Sequence, residues 1–141
     1  MLLIMGLVLY LFLLAVALGT AFWKGGRTER KVAAAWLVAA IASQAAALTG
    51  HSWYHPEWAV LATDVVLFIA LVAIVHGSER YWPLWAASFQ LAGVLTHLTF
   101  ILQPSIVREA YAGLQQFWGI PILLTIIVGT VRHRQIYQGA A

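Results

Sequence analysis

The sequence predicts an all-α integral membrane protein: a single bundle of five transmembrane helices, N-terminus outside and C-terminus cytoplasmic. Three observations carry that expectation. Of the 141 residues, 62% are apolar and only 9% are Asp, Glu, Lys or Arg, and the mean hydropathy is +0.85; a soluble domain of this size needs more polar surface than that. Five stretches approach the roughly 20 apolar residues that a spanning helix requires. Basic residues fall on alternate connections, as the positive-inside rule asks. The same composition excludes other classes. A disordered chain would be far less apolar, and without cysteine there are no disulfides, thiolate metal sites or thiol nucleophiles.

The first stretch, residues 2–23, is nearly uniform, with Gly6, Tyr10 and Ala17 as its only marked face, and is expected at the rim of the bundle or against a partner. Ala15-Val16-Ala17 offers small residues at a cleavage-like spacing, but no basic residue precedes Lys24, so a signal peptide's positive leader segment is missing and the stretch is expected to stay as a helix. The second, residues 32–49, is the least apolar. It is built on alanine, with Ala35, Ala39, Ser43 and Ala47 at intervals of four, and such small-residue stripes allow close helix approach. The third, fourth and fifth cover residues 58–76, 82–102 and 112–131. Connections this short join antiparallel neighbours and leave no extramembrane domain.

Charge supports the five-span count. With the N-terminus outside, Lys24, Arg27, Arg30, Lys31, Arg80, Arg132 and Arg134 fall on the cytoplasmic side and only Arg108 lies opposite. The net charge of +3 is then a topogenic signal, and no nucleic-acid partner is expected. Trp23, Tyr81, Trp82 and Trp85 mark the cytoplasmic boundary; Trp53, Tyr54, Trp58, Tyr111, Phe117 and Trp118 mark the outer one.

Polar residues inside such helices are costly and therefore informative. Asp64, His97 and Gln44 each lie five or six residues from the outer end of their stretch, which places them roughly 7 to 10 Å below the outer surface at 1.5 Å rise per residue. On the fourth stretch Ala86, Gln90, Gly93 and His97 form a small and polar stripe that belongs against protein. Gln115 and Gln116 open the fifth stretch at that side, and the loop before the third supplies His51, His55 and Glu57. One polar pocket facing outward is the expectation. The plainer reading of each member stands beside it: Asp64 as interhelical glue to His97 or Gln44, His51 and His55 as solvated loop residues, His76 as a cation near helix-end carbonyls, His133 as part of a basic tail, and Ser43, Thr96, Thr99 and Thr125 with hydroxyls returned to the preceding turn.

Several chemistries suit these donors. His51, His55, Asp64 and His97 are residue types that bind zinc, copper or iron, although no HExxH motif is present. A haem or a chlorin is a second candidate, because an intramembrane histidine ligates the central metal while a small residue one turn away makes room for the macrocycle. Gly93 and His97 have that spacing. It resembles the pigment-binding helix of light-harvesting polypeptides and the haem-binding helices of diheme b-type cytochromes, a resemblance confined to these two residues. It implies His97 as an axial ligand with Gly93 as the recess. A quinone is the third candidate, held by Asp64, His97 and Gln44 and exchanging protons with them. Motifs for hydrolases or phosphate binding are absent, and no helix is broken at its midplane: Pro83, Pro104 and Pro121 are expected near helix ends or in first turns. The expected function is therefore a non-enzymatic accessory or assembly subunit in a bacterial inner membrane, packed against other integral membrane subunits. The alternative is a tetrapyrrole- or quinone-binding electron-transfer protein built on His97, Gly93, Asp64 and Gln44. A small transporter dependent on Asp64 is a third reading.

Overall fold

A computed structural model describes residues 2–49, 58–103, 105 and 108–138 and is all-helical over them. Its five helices are α1 (Leu2–Lys24), α2 (Arg27–Thr49), α3 (Trp58–His76), α4 (Trp82–Leu102) and α5 (Arg108–Gln138). Three of them, over Ile4–Lys24, Trp58–His76 and Trp82–Leu102, are long and apolar enough to cross a membrane.

Two helices run past the apolar stretches that predict them. α2 begins at Arg27, so only Gly25 and Gly26 separate it from α1. A Cβ at Gly25 would fall 2.3 Å from the carbonyl oxygen of Ala21 and 2.7 Å from Glu29 Cβ, which is why the turn closes on glycine. The Gly26 amide donates to Glu29 Oε2 at 3.0 Å, so a carboxylate satisfies one of the free donors at the start of α2. α5 is 31 residues long and encloses Pro121. That proline lies well inside the helix and not in its first turns, and it withholds an amide from the carbonyl of Phe117.

The helices form a ring in chain order. Each packs on its neighbours in sequence, α5 returns to α1, and α2 also meets α5 across the middle. Tyr10 lies by Gly119 and Gly26 by His133, so α1 and α5 run parallel, whereas Asp64 near the start of α3 meets His97 near the end of α4, so these two consecutive helices are antiparallel. α1 thus closes the ring between α2 and α5, and its apolar window is the least buried of the three candidate spans.

The centre is filled by small and branched residues. Ala17, Ala21, Val32, Ala33, Leu71, Ala86, Ile122, Leu123 and Ile126 are fully or almost fully enclosed. The alanines let backbones approach while the α5 side chains occupy the axis. Phe12, Trp23, Ile41, Val66, Ile69, Leu98 and Val128 face outward and are exposed. Such a continuous apolar exterior is consistent with lipid contact in a multi-pass membrane protein. α4 is the most enclosed of the three candidate spans, with 33% of its apolar window buried against 11% for α1 and 17% for α3. It is also the helix with the polar stripe, and Ala86, Gln90, Gly93 and His97 are all buried.

Candidate functional site

Antiparallel order brings the first halves of α1, α3 and α5 beside the second halves of α2 and α4. At that level the ring is wider than its filling. A cavity of 510 Å³ remains, lined by all five helices: Leu7 and Tyr10 of α1, Trp36, Ala39, Ala40, Ser43 and Gln44 of α2, Val60, Asp64 and Leu67 of α3, Gln90 and Gly93 of α4, and Trp118 and Gly119 of α5. Its volume is in the range of small-molecule sites. Below it the alanine-rich core closes the ring.

Asp64 organises the polar wall. Its Oδ2 accepts from His97 Nε2 at 2.8 Å, and Gln90 Nε2 lies 3.1 Å from Oδ1 and 3.2 Å from the Asp64 carbonyl oxygen. Gln90 and His97 are two turns apart on one face of α4, so they reach the carboxyl from adjacent positions. The ring of His97 is almost fully enclosed, with 4% of its side chain exposed, whereas Asp64 keeps 20% open toward the cavity. A carboxylate has about four acceptor positions, so it retains capacity beyond these two partners. Trp118 Nε1 donates to Thr96 Oγ1 at 2.9 Å, and Thr96 in turn donates to Ala92 O at 2.9 Å.

Aromatic rings supply much of the remaining wall. Tyr10 stands over Gly119, where a Cβ would come within 3.0 Å of Tyr10 Cε2 and 3.6 Å of Trp36 Cζ2. Trp36 is 92% enclosed, and its indole Nε1 has no hydrogen-bond partner among the described residues. The Tyr10 hydroxyl interacts with that indole without completing a hydrogen bond to it. An enclosed orphan donor costs about 1–3 kcal/mol.

No family model, curated protein or solved structure matches this chain. Its own geometry must carry the assignment.

Of the residues that the sequence groups into a site, Asp64 and His97 are in contact, and Gly93 and Gln44 line the same cavity, Gln44 at its exposed margin. His51, His55 and Glu57 lie outside the described residues, and among those described no group of three His, Asp or Glu side chains could hold a metal ion. The backbone of Gln115 and Gln116 is in α5, while their side chains are outside the description. His97 directs Nε2, a nitrogen that would bind a metal, at Asp64, and Trp118 Cβ stands 3.8 Å from where a Cβ on residue 93 would be. A macrocycle ligated through that nitrogen would have to break the first contact and displace the second. Thr96, Thr99 and Thr125 return their hydroxyls to backbone carbonyls of the preceding turn, and His76 Nδ1 bonds the carbonyl of Val72 at 2.9 Å.

A second polar cluster sits at the opposite, basic end of the bundle. Glu29 is fully enclosed. Its Oε1 lies 3.2 Å from Arg80 Nη1 and accepts from Trp82 Nε1 at 3.2 Å, while Oε2 receives the Gly26 amide. Arg80 Nη2 also donates to His133 Nδ1. Ser78 Oγ accepts from the Arg80 amide at 3.1 Å and meets Thr28 Oγ1 at 3.3 Å. Arg80 and His133, read from sequence as topogenic or tail charges, are thus tied to the start of α2. Glu29 carried no signal beyond a charged run. Gln90, Tyr10, Trp36 and Trp118 were equally hidden as site members: Gln90 was legible as part of a stripe, Tyr10 as part of a face, and Trp118 as an interfacial ring.

Proposed function

We propose that the chain is a five-span integral membrane protein, N-terminus outside and C-terminus cytoplasmic, that binds one small ligand in the cavity of its outer half. The observation that carries the reading is a cavity walled by all five helices and furnished with Asp64, Gln90, Ser43, Gln44 and Tyr10. The cavity is half open, with Gln44 and Leu7 exposed at its margin, so a ligand has a way in. A packed bundle needs neither the space nor a partly open carboxylate in it, and polar groups in such helices mark binding or conduction sites. The unsatisfied Trp36 N–H adds a further polar atom that the described protein leaves incomplete.

Orientation is supported by the clustering of Lys24, Arg27, Arg30, Lys31, Arg80, Arg132 and Arg134 at the end away from the cavity, with Arg108 alone starting α5 at the other. α2 and α5, of 23 and 31 residues, are long enough to complete the span count and stand in the ring beside the three more apolar helices.

The accessory-subunit reading keeps one specific support. Ala34, Ala35, Val38, Ala42, Ala62, Val66 and Ala70 line an apolar groove of 500 Å³ between α2 and α3, and small residues permit close approach of a further helix. Gentle native purification followed by mass spectrometry tests both. A small molecule retained in stoichiometric amount supports the ligand-binding reading. Recovery within a larger membrane assembly, with no small molecule bound, replaces it with the accessory role.

A further inference from the structure

We infer that the ligand of the central cavity is a small organic cation, an amine or quaternary ammonium, with Asp64 as its counter-charge and Tyr10, Trp36 and Trp118 as its aromatic walls. The inference rests on the ligand-binding reading and names the chemistry of that site. Among the described residues that line the cavity, Asp64 is the sole Asp, Glu, Lys or Arg. Its carboxylate is fixed from behind by Gln90 and His97 and is partly open in front. With His97 donating as a neutral imidazole, the held carboxylate keeps its negative charge and spare acceptor capacity, so it attracts a cation or an N–H donor and repels an anion.

Other ligand classes fit less well. The N–H groups of Gln90 and His97 that approach Asp64 are spent on it, and that of Trp118 is spent on Thr96. A quinone in its oxidised form offers acceptors only; Trp36 Nε1 could meet one of them, but Asp64 on the facing wall would repel them. A divalent metal ion needs several oxygen or nitrogen ligands at about 2.0–2.6 Å, which one carboxylate in 510 Å³ does not supply. A weakly hydrated organic cation needs no such cage. It is attracted to aromatic rings within about 6 Å, most strongly where water is excluded, and three such rings wall this space.

The test is titration calorimetry on the purified full-length protein in neutral detergent, using benzyltrimethylammonium as the probe and its neutral isostere neopentylbenzene as the control. Saturable binding of the cation, at least tenfold tighter than the isostere, is expected. Asp64→Asn should weaken the cation at least tenfold and leave any binding of the isostere unchanged. If Asp64→Asn does not fold, the comparison of the two probes on the unaltered chain decides by itself. Equal binding of both, or binding of duroquinone in preference to the cation, overturns the inference and leaves the ligand-binding cavity standing. Failure of the cation to bind overturns the inference, and the ligand-binding reading then stands or falls separately on whether native purification retains a small molecule.

Discussion

Arg80, in the connection between α3 and α4, reaches back to Glu29 in the first turns of α2 and pairs with it at 3.2 Å, while the Glu29 side chain is entirely enclosed. The contact joins two stretches of chain that the sequence presents as separate charged loops. Trp82 and the Gly26 amide complete the shell around the carboxylate, and His133 ties Arg80 to the end of α5. The basic end of the ring is therefore closed by one polar network involving α2, α5 and the start of α4.

Breaking one side of an enclosed ion pair strands the other charge. Arg80→Ala, which strands the fully enclosed Glu29 carboxylate, should destabilise the detergent-solubilised protein by about 3–5 kcal/mol, read as a fall in unfolding free energy. Glu29→Leu combined with Arg80→Leu should recover much of that loss. An Arg80→Ala variant as stable as the unaltered chain would show that the Glu29 carboxylate is not enclosed.

Gly129 lies against Trp82, where a Cβ would approach the indole to 2.5 Å, and that indole is held by its bond to Glu29. Gly129→Ala should therefore cost about 1–3 kcal/mol by overpacking. The same substitution in a Trp82→Leu background should cost far less. Equal penalties in both backgrounds would place the clash elsewhere.

At the cavity, Asp64→Leu leaves the donors of Gln90 and His97 unmet and should cost about 1–3 kcal/mol. Asp64→Asn should cost less, because its oxygen still accepts from Gln90 and its NH2 can donate to His97 Nε2 in the other ring tautomer. Thermal unfolding in one detergent ranks the two. A Leu variant that unfolds no earlier than the unaltered protein would mean that the three side chains do not meet.

Topology is open to a direct check. A reporter that works only in the cytoplasm, fused after Ala141, should be active, and one that works only outside should be active when placed ahead of Met1. Activity of the opposite kind at either terminus would overturn the five-span arrangement.

Much of the cavity was legible from residue spacing. Asp64 and His97 share a depth because each lies a similar number of residues from the same end of its helix, and a helix converts residue count into distance. The buried stripe on α4 was legible for a related reason, since steps of three and four project from one face. Glu29 could not be found that way. Its enclosure depends on an arginine from another connection and a tryptophan from another helix, and charged runs of the same composition are ordinarily solvated. The length of α5 was also hidden, because polar residues continue the helix beyond the apolar stretch at both ends.

What this sequence determined by itself was the helical membrane class, the approximate place of each helix and the shared level of Asp64 and His97 along α3 and α4, because hydropathy and rise per residue act locally along the chain. The tertiary structure alone decided the order of the ring, its closure by α1 against α5, the cavity between five walls and the enclosure of Glu29. Those depend on which face of each helix meets which neighbour. A near-uniform apolar helix carries little local record of that choice, so packing, with glycines at Gly119 and Gly129 beneath aromatic rings, had to make it.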